Sequence, residues 1–454
     1  MKPPRYSLRT LLIIVAVVAV LISIPVKRAT EQRHSVNEIL RLGGSVTYDF
    51  ESTSAKEPSA PVWLRRTVGE DYFRSVDSVN LNGLPFTDDE AALLRRLPSL
   101  KRLKLESCAN VSDEGLLHLR ELPNLYQLDL QGTQITDDSL KYLKALHALK
   151  DLDLNDTQIT DAGLQTLESM PQLRDLLLDN TPYISDAGLA HLSDLKNLII
   201  LRLHDDEHKR LSPITDAGVA HLRNLTELRK LTLEGASLTD ASAQHLKELT
   251  KLEILSVEGK DFTDEGLAQL SGLTSLNYLG LFNTGVTDEG LANLKNFRSL
   301  KFVVLAVPQI TDSELKQLTG SKLLRGLLCG LILKGTQVTD AGLRTLGGTT
   351  GLSQLNLNET QITDAGLSNL KPLAGIMNEL SVGGTKITDA GLMTLKSFPA
   401  LWELDLSNTN ITDAGLVTLQ SFWALERLNL TNTKTTDEAI ETLKRARPGL
   451  RITK

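Results

Sequence analysis

The residues most able to do chemistry here are aspartates. Fifteen of them, from Asp88 to Asp437, recur in one phrase, as in Ile159-Thr160-Asp161-Ala162-Gly163-Leu164 and Ile411-Thr412-Asp413-Ala414-Gly415-Leu416. Most successive copies are 24 or 25 residues apart. A ladder of aspartates could bind calcium, but such ladders use glycine-rich repeats of about nine residues. The phrase fits a helix start better. Thr offers a hydroxyl to an orphan backbone N–H, and Asp in the first turn meets the positive end of the helix dipole. A second cluster, His204-Asp205-Asp206-Glu207-His208, has the residue types of a metal site. Adjacent ligands on one loop seldom converge, and no second element offers a partner, so a solvated polar loop is expected. His118, His191, His221 and His245 share one slot of their repeats, which makes them part of a helical surface rather than a proton relay. Gly-x-Ser-x-Gly, phosphate-cradling glycine loops and His-Glu-x-x-His do not occur. No catalytic residue, metal or cofactor is assigned, and a function in binding rather than catalysis is expected.

These residues must be positioned by the repeat itself. Each copy reads as a strand Leu-x-x-Leu-x-Leu, as in Leu149, Leu152 and Leu154, followed by a short helix from the Thr-Asp pair. Alternation points Leu152 and Leu154 to one side of the strand. Leu164, Leu167, Met170 and Leu173 continue the apolar stripe at every third residue. Ten copies place Gly two residues after the Asp, for example Gly266 and Gly366, which predicts close backbone packing. One copy alone would expose its leucines, whereas stacking buries them in a continuous core. The fold class is therefore α/β, a solenoid with a curved parallel sheet on the concave face and short helices on the convex face. Two copies carry insertions, around His204 to Arg210 and around Gly320 to Gly330.

The N-terminus differs. Leu11 to Val26 is apolar except for Ser23, and Lys2, Arg5, Arg9, Lys27 and Arg28 flank it. Sixteen helical residues span about 24 Å; extension back to Tyr6 with Arg9 snorkelling reaches about 31 Å, enough for the hydrocarbon core. Val26-Lys27-Arg28-Ala29 is a poor cleavage site, so an uncleaved signal anchor is expected over a removed signal peptide. The resulting organisation is a cytoplasmic tail at 1–10, a transmembrane helix at 11–26, a stalk and N-terminal cap at 27–75, and the repeat array with a C-terminal cap at 76–454. Within the cap, 31–42 reads as a helix ended by Gly43-Gly44, Ser45 to Phe50 as a strand, and Trp63 to Phe73 as a further helix. Net charge is -7, with +4 in residues 1–75 and -11 in the rest, which argues against nucleic acid as a partner. Cys108 and Cys329 fall nine repeats apart, roughly 43 Å at strand spacing, too far for a disulfide.

With its motif L-x-x-L-x-L-x-x-[N/C/T], residues 76–454 resemble the leucine-rich-repeat family. Cys108-Ala109-Asn110-Val111-Ser112-Asp113 is similar to the cysteine-containing subclass found in F-box proteins, with Thr133, Thr157, Thr284, Thr336 and Thr409 in the cysteine slot of other copies. The anchor and the segment Leu42 to Phe50 resemble a group of bacterial membrane-anchored repeat proteins. These resemblances imply the solenoid fold and say little about function.

The concave face is the expected binding surface. Its early rungs carry Asp129, Asp151, Asp153, Asp175 and Asp179, suited to a basic partner. Its middle rungs carry Ile254, Tyr278, Phe282, Phe302, Val304 and Ile332, expected to form one apolar-aromatic patch for a protein or peptide. Phe297, Phe398 and Phe422 take core leucine slots, and Trp423 lies in the following turn. The reading is a membrane-anchored protein-binding scaffold. The alternatives are an F-box-like adaptor, for which residues 29–75 lack the helical module, and an architectural envelope protein. A short tail before an anchor usually stays inside, so protease added to intact cells should cleave the repeats; repeats left uncut until lysis would contradict that orientation.

Overall fold

The structure is a computed structural model and describes residues 26–49, 51, 65, 72–205, 214–291, 294, 296–306, 310–313, 315, 316 and 328–454. The expected anchor up to residue 25, the Trp63–Phe73 helix except for Arg65, Tyr72 and Phe73, and most of both insertions lie outside that range. Among the described residues no helix is long and apolar enough to cross a membrane. The chain divides into two compact units, residues 1–213 and 214–454, with the boundary in the first insertion.

In the first unit, β1 (Ser45–Tyr48) runs antiparallel to β2 (Val76–Asn80). β2 is then followed in parallel register by β3 (Arg102–Lys104), β4 (Gln127–Asp129), β5 (Asp151–Asp153), β6 (Asp175–Leu177) and β7 (Ile200–Leu203). Residues 26–41, from the first described residue onward, are helical and precede β1, so the helix already includes five residues ahead of the expected start. It packs through Val36 and Ile39, and Ser35 donates from its hydroxyl to the Leu93 carbonyl at 2.9 Å. The second unit stacks β8 (Lys230–Leu233), β9 (Ile254–Glu258), β10 (Tyr278–Phe282), β11 (Phe302–Ala306), β12 (Leu328–Ile332), β13 (Leu352–Asn356), β14 (Glu379–Ser381), β15 (Glu403–Asp405), β16 (Arg427–Asn429) and β17 (Arg451–Thr453), again all parallel.

Local chemistry explains each coil. Leu149, Leu152, Leu154, Leu164, Leu167, Met170 and Leu173 are all essentially buried, as the stripe requires. After the strand, the chain reverses through a left-handed residue, Gly132 (φ 66°) or an Asp or Asn such as Asp156 (φ 55°) and Asn408 (φ 54°), types that tolerate this conformation. The threonine in the cysteine slot is buried and returns its hydroxyl proton to the last strand leucine, as Thr157 does to the Leu154 carbonyl at 2.6 Å. Cys108 instead reaches back to Leu81 of the preceding coil, its Sγ donating to that carbonyl at 3.1 Å. It is a buried free thiol, and burial pushes its pKa up.

The helix starts reveal what the recurring aspartate does. Thr160 takes an extended backbone and its hydroxyl accepts from the Ala162 N–H at 3.2 Å, an N-cap as expected. The carboxylate of the preceding coil completes it: Asp137 accepts from the Thr160 N–H at 2.8 Å and from its hydroxyl at 2.6 Å. The same two bonds join Asp88 to Ser112, Asp216 to Thr239, Asp340 to Thr363 and Asp413 to Thr436. The close approach at the helix glycine is to this carboxylate rather than to backbone, because a Cβ on Gly163 would lie 2.3 Å from Asp137 Oδ1. Asp340→Ala should therefore lower the stability of the second unit by about 1–3 kcal/mol, since two charge-assisted bonds are lost. Asp340→Asn should cost less, because the amide keeps one acceptor and offers one donor. Urea unfolding that found both variants equal to wild type would show that the bridge does not couple the coils.

Candidate functional site

Side chains that flank the core leucines stand on the open sheet face in rows set by strand register. In the first unit, Asp151 lies opposite Asp175 in one row, and Asp129 opposite Asp153 in the next. All four are half-buried, and burial is the main reason their carboxyls titrate above the usual range. Asp153 is pushed up to about 6, with repulsion from Asp129 and Asp179 adding to the burial. Asp179 departs from the expected acidic surface. It is 6% exposed, accepts from the His204 N–H at 2.9 Å and forms an ion pair with Arg202. Its place just past the strand end turns it toward the loop backbone, so it does not offer a free carboxylate.

In the second unit the register brings Ile254, Tyr278 and Phe302 side by side, and Phe282 and Ile332 flank Ala306 in another row. The Tyr278 and Phe302 rings stack with centroids 5.5 Å apart and planes 16° from parallel. Burial raises the Tyr278 phenol to about 12, and the carboxylates of Glu234 and Glu379 add to the shift. The five are half-buried and remain accessible. Val304 is different, at 5% exposure. Its row neighbours are Gly280 and Gly330, and the larger side chains of the flanking rows stand above it, so it is floor rather than rim.

Those two glycines make the surface concave locally. A Cβ on Gly280 would lie 2.5 Å from Phe282 Cε2, because the ring folds back along its own strand over the glycine. A Cβ on Gly330 would meet Gln354 Oε1 at 3.1 Å and Val304 at 3.3 Å. The result is a hollow of about 210 Å³ lined by Tyr278, Phe282, Val304, Gly330, Ile332 and Gln354, with Asn356, Glu379 and Ser381 at its polar end. Gln354 donates to Glu379 there at 2.7 Å. Sequence reasoning named the rings and missed the glycines, Gln354 and Glu379. The signal was a glycine at an outward strand position in Tyr278-Leu279-Gly280-Leu281-Phe282, where a missing side chain marks close approach.

Phe297, Phe398 and Phe422 are buried in the core, and Trp423 is 80% exposed with the Arg447 guanidinium 5.6 Å from its ring centre. His191 belongs to the helix side, 2.5 Å from Glu168. Of the histidine-rich loop only His204 and Asp205 are described, and among the described residues no group of three potential ligands could hold a metal ion.

Leucine-rich-repeat family models match residues 123–182 and residues 401–419. No curated protein matches the chain. Among solved structures the chain is similar to an internalin of Listeria monocytogenes, with 23% identity over 81% of this chain and 88% of that one and a TM-score of 0.38. It is also similar to a leucine-rich-repeat protein of Leptospira interrogans, with 19% identity over 80% and 92% and a TM-score of 0.39. The yeast Rad7 and Elc1 complex contains a further similar chain, with 17% identity over 99% and 98% and a TM-score of 0.42.

The raised carboxyls give a pH dependence of fixed sign. A folded pKa above the unfolded value means that the native state binds more protons, so the contribution to stability is present at low pH and lost as pH rises. For Asp153 that loss should run from about pH 4 to the folded value of about 6. Asp153→Asn should flatten the decline in unfolding midpoint across this window, and identical slopes for variant and wild type would refute the assignment.

Proposed function

Because this chain is a leucine-rich-repeat protein, we propose that it is a binding scaffold, tethered to a membrane by residues 11–26, that captures a protein or peptide on its open sheet face without catalysing a reaction. The observation that carries the proposal is the stacked, half-exposed Tyr278–Phe302 pair beside a glycine-floored hollow. Aromatic rings bring large apolar area with little side-chain entropy to lose, and they dominate the energetics of many interfaces. The hollow adds amides at one end, which can orient a bound backbone. Its groups hold a ligand by contact and hydrogen bonding, which supports binding rather than turnover.

The carboxylates Asp129, Asp151, Asp153 and Asp175 support a partner of basic character. They are half-buried, and burial, with repulsion added at Asp153 and Asp175, disfavours their charge, which a cationic partner would offset. Asp179 contributes nothing to that attraction, because Arg202 already neutralises it.

The Tyr278→Ala/Phe302→Ala double variant tests the proposal. Neither ring is fully buried, so the fold should survive, as circular dichroism and the unfolding midpoint would verify. Cross-linking capture from native membranes should recover a partner with wild type and about tenfold less with the variant. Equal recovery by a folded double variant would remove this face from the function. Recovery of nothing by either protein would favour the architectural alternative.

A further inference from the structure

The next rungs of the second unit carry a charge pattern that stability does not explain. Glu379 and Glu403 stand directly opposite each other, as do Arg427 and Arg451, so one row reads acid, acid, base, base across β14 to β17. Like charges facing across strands destabilise a sheet, and an alternating order would have served it better. Burial and the neighbouring Glu403 both raise the Glu379 carboxyl. Glu379 accepts from Gln354, and Glu403 pairs with Arg427 at 3.3 Å, which leaves the second oxygen of each acid without a hydrogen bond among the described residues. Arg451 is exposed and makes no ion pair among the described residues. Glu403, Arg427 and Arg451 of this row, with Asp405 of the next, line a second hollow of about 540 Å³, whereas Glu379 lines the aromatic one. Asn356 and Ser381 line both it and the aromatic hollow, so the two form one trough.

We infer that the trough takes an extended peptide segment whose side chains run in the order large apolar, cationic, anionic. The apolar side chain fills the hollow at Tyr278, Phe282 and Ile332. The cation sits between Glu379 and Glu403, and the anion lies on Arg427 and Arg451. Strand spacing sets the intervals. From β12 to the acid pair is about 12 Å and from the acid pair to the arginine pair about 10 Å, which correspond to roughly four and three extended residues. A peptide carries all three chemistries in one chain: its cation meets the free oxygens of Glu379 and Glu403, and its anion meets Arg451, with Arg427 contributing from its pair with Glu403. The anion is a carboxylate, either a side chain or the end of a chain. This inference rests on the binding role proposed above.

The test is selection from a display library of random peptides about twelve residues long on the full-length protein, with the Tyr278→Ala/Phe302→Ala variant as counter-selection. Selected peptides are then synthesised with free and with amidated C-termini and titrated by fluorescence anisotropy. The expected consensus has an aromatic or large aliphatic residue, Lys or Arg about four positions away, and a carboxylate about three positions beyond. Changing the peptide cation to Glu should weaken binding to wild type about tenfold, and Glu403→Lys should restore it. Changing Arg451→Glu should weaken the acidic peptide similarly, and loss on amidation identifies the terminal carboxylate as the anion. Peptides that need Tyr278 and Phe302 but ignore charge would overturn this inference and leave the binding role standing. No enrichment over the double variant would overturn both.

Discussion

Within each unit, helix starts such as Thr136, Thr160, Thr239, Thr363 and Thr436 are capped by two coils at once. The Thr160 hydroxyl accepts from the Ala162 N–H of its own helix while it donates to Asp137 of the coil before. The carboxylate also takes the Thr160 N–H, so the cap is complete only when the preceding coil is in place. Hydrogen bonds to a charged group contribute about 1.5–3 kcal/mol in favourable settings. Repeated at nearly every step, this contact gives the array much of its nearest-neighbour coupling. The leucines work in the same direction, since each coil shelters its stripe only against the next.

That coupling has a consequence for the open face. The bridge fixes spacing on the helix side and the parallel ladder fixes it on the sheet side, at about 4.8 Å per strand. Side chains between the core leucines therefore fall into straight rows whatever their identity, as Tyr278 beside Phe302 and Glu379 beside Glu403 show. The fold makes no demand on these positions beyond solubility. Their chemistry can vary from rung to rung, and the acidic rows of the first unit and the aromatic hollow of the second are two outcomes of one geometry.

Much of this was legible in the sequence because the period is explicit. Leu149 to Leu173 announced their burial by spacing, and Thr160 announced a cap by its position before Asp161. What periodicity could not reveal is which coil a side chain serves. Asp137 reads as a first-turn acid of its own helix, and only stacking shows that its oxygens belong to Thr160. Gly163 likewise signals a close approach without naming the carboxylate that approaches. At the candidate site the rows were readable, but depth was not. Val304 looks equivalent to Phe302 in the pattern and lies on the floor because its neighbours in register are glycines. Asp179 stands in the acidic set with Asp153, yet its register counterpart is Asn155, beyond the strand, and it pairs with Arg202.

A surface of shallow rows must solve a problem that a deep pocket does not face. Large rings left in water are unfavourable in the free protein, and mobile rings lose entropy when they bind. Tyr278 and Phe302 meet both costs by stacking on each other, so each ring shields one face of its neighbour and both are held before any ligand arrives. Gly280 makes this possible for the third ring, because only a residue without Cβ lets Phe282 lie back along its strand instead of standing into solvent. The hollow is therefore formed by the free chain's own packing. A ligand entering it gains apolar contact without having to organise the rings that provide it.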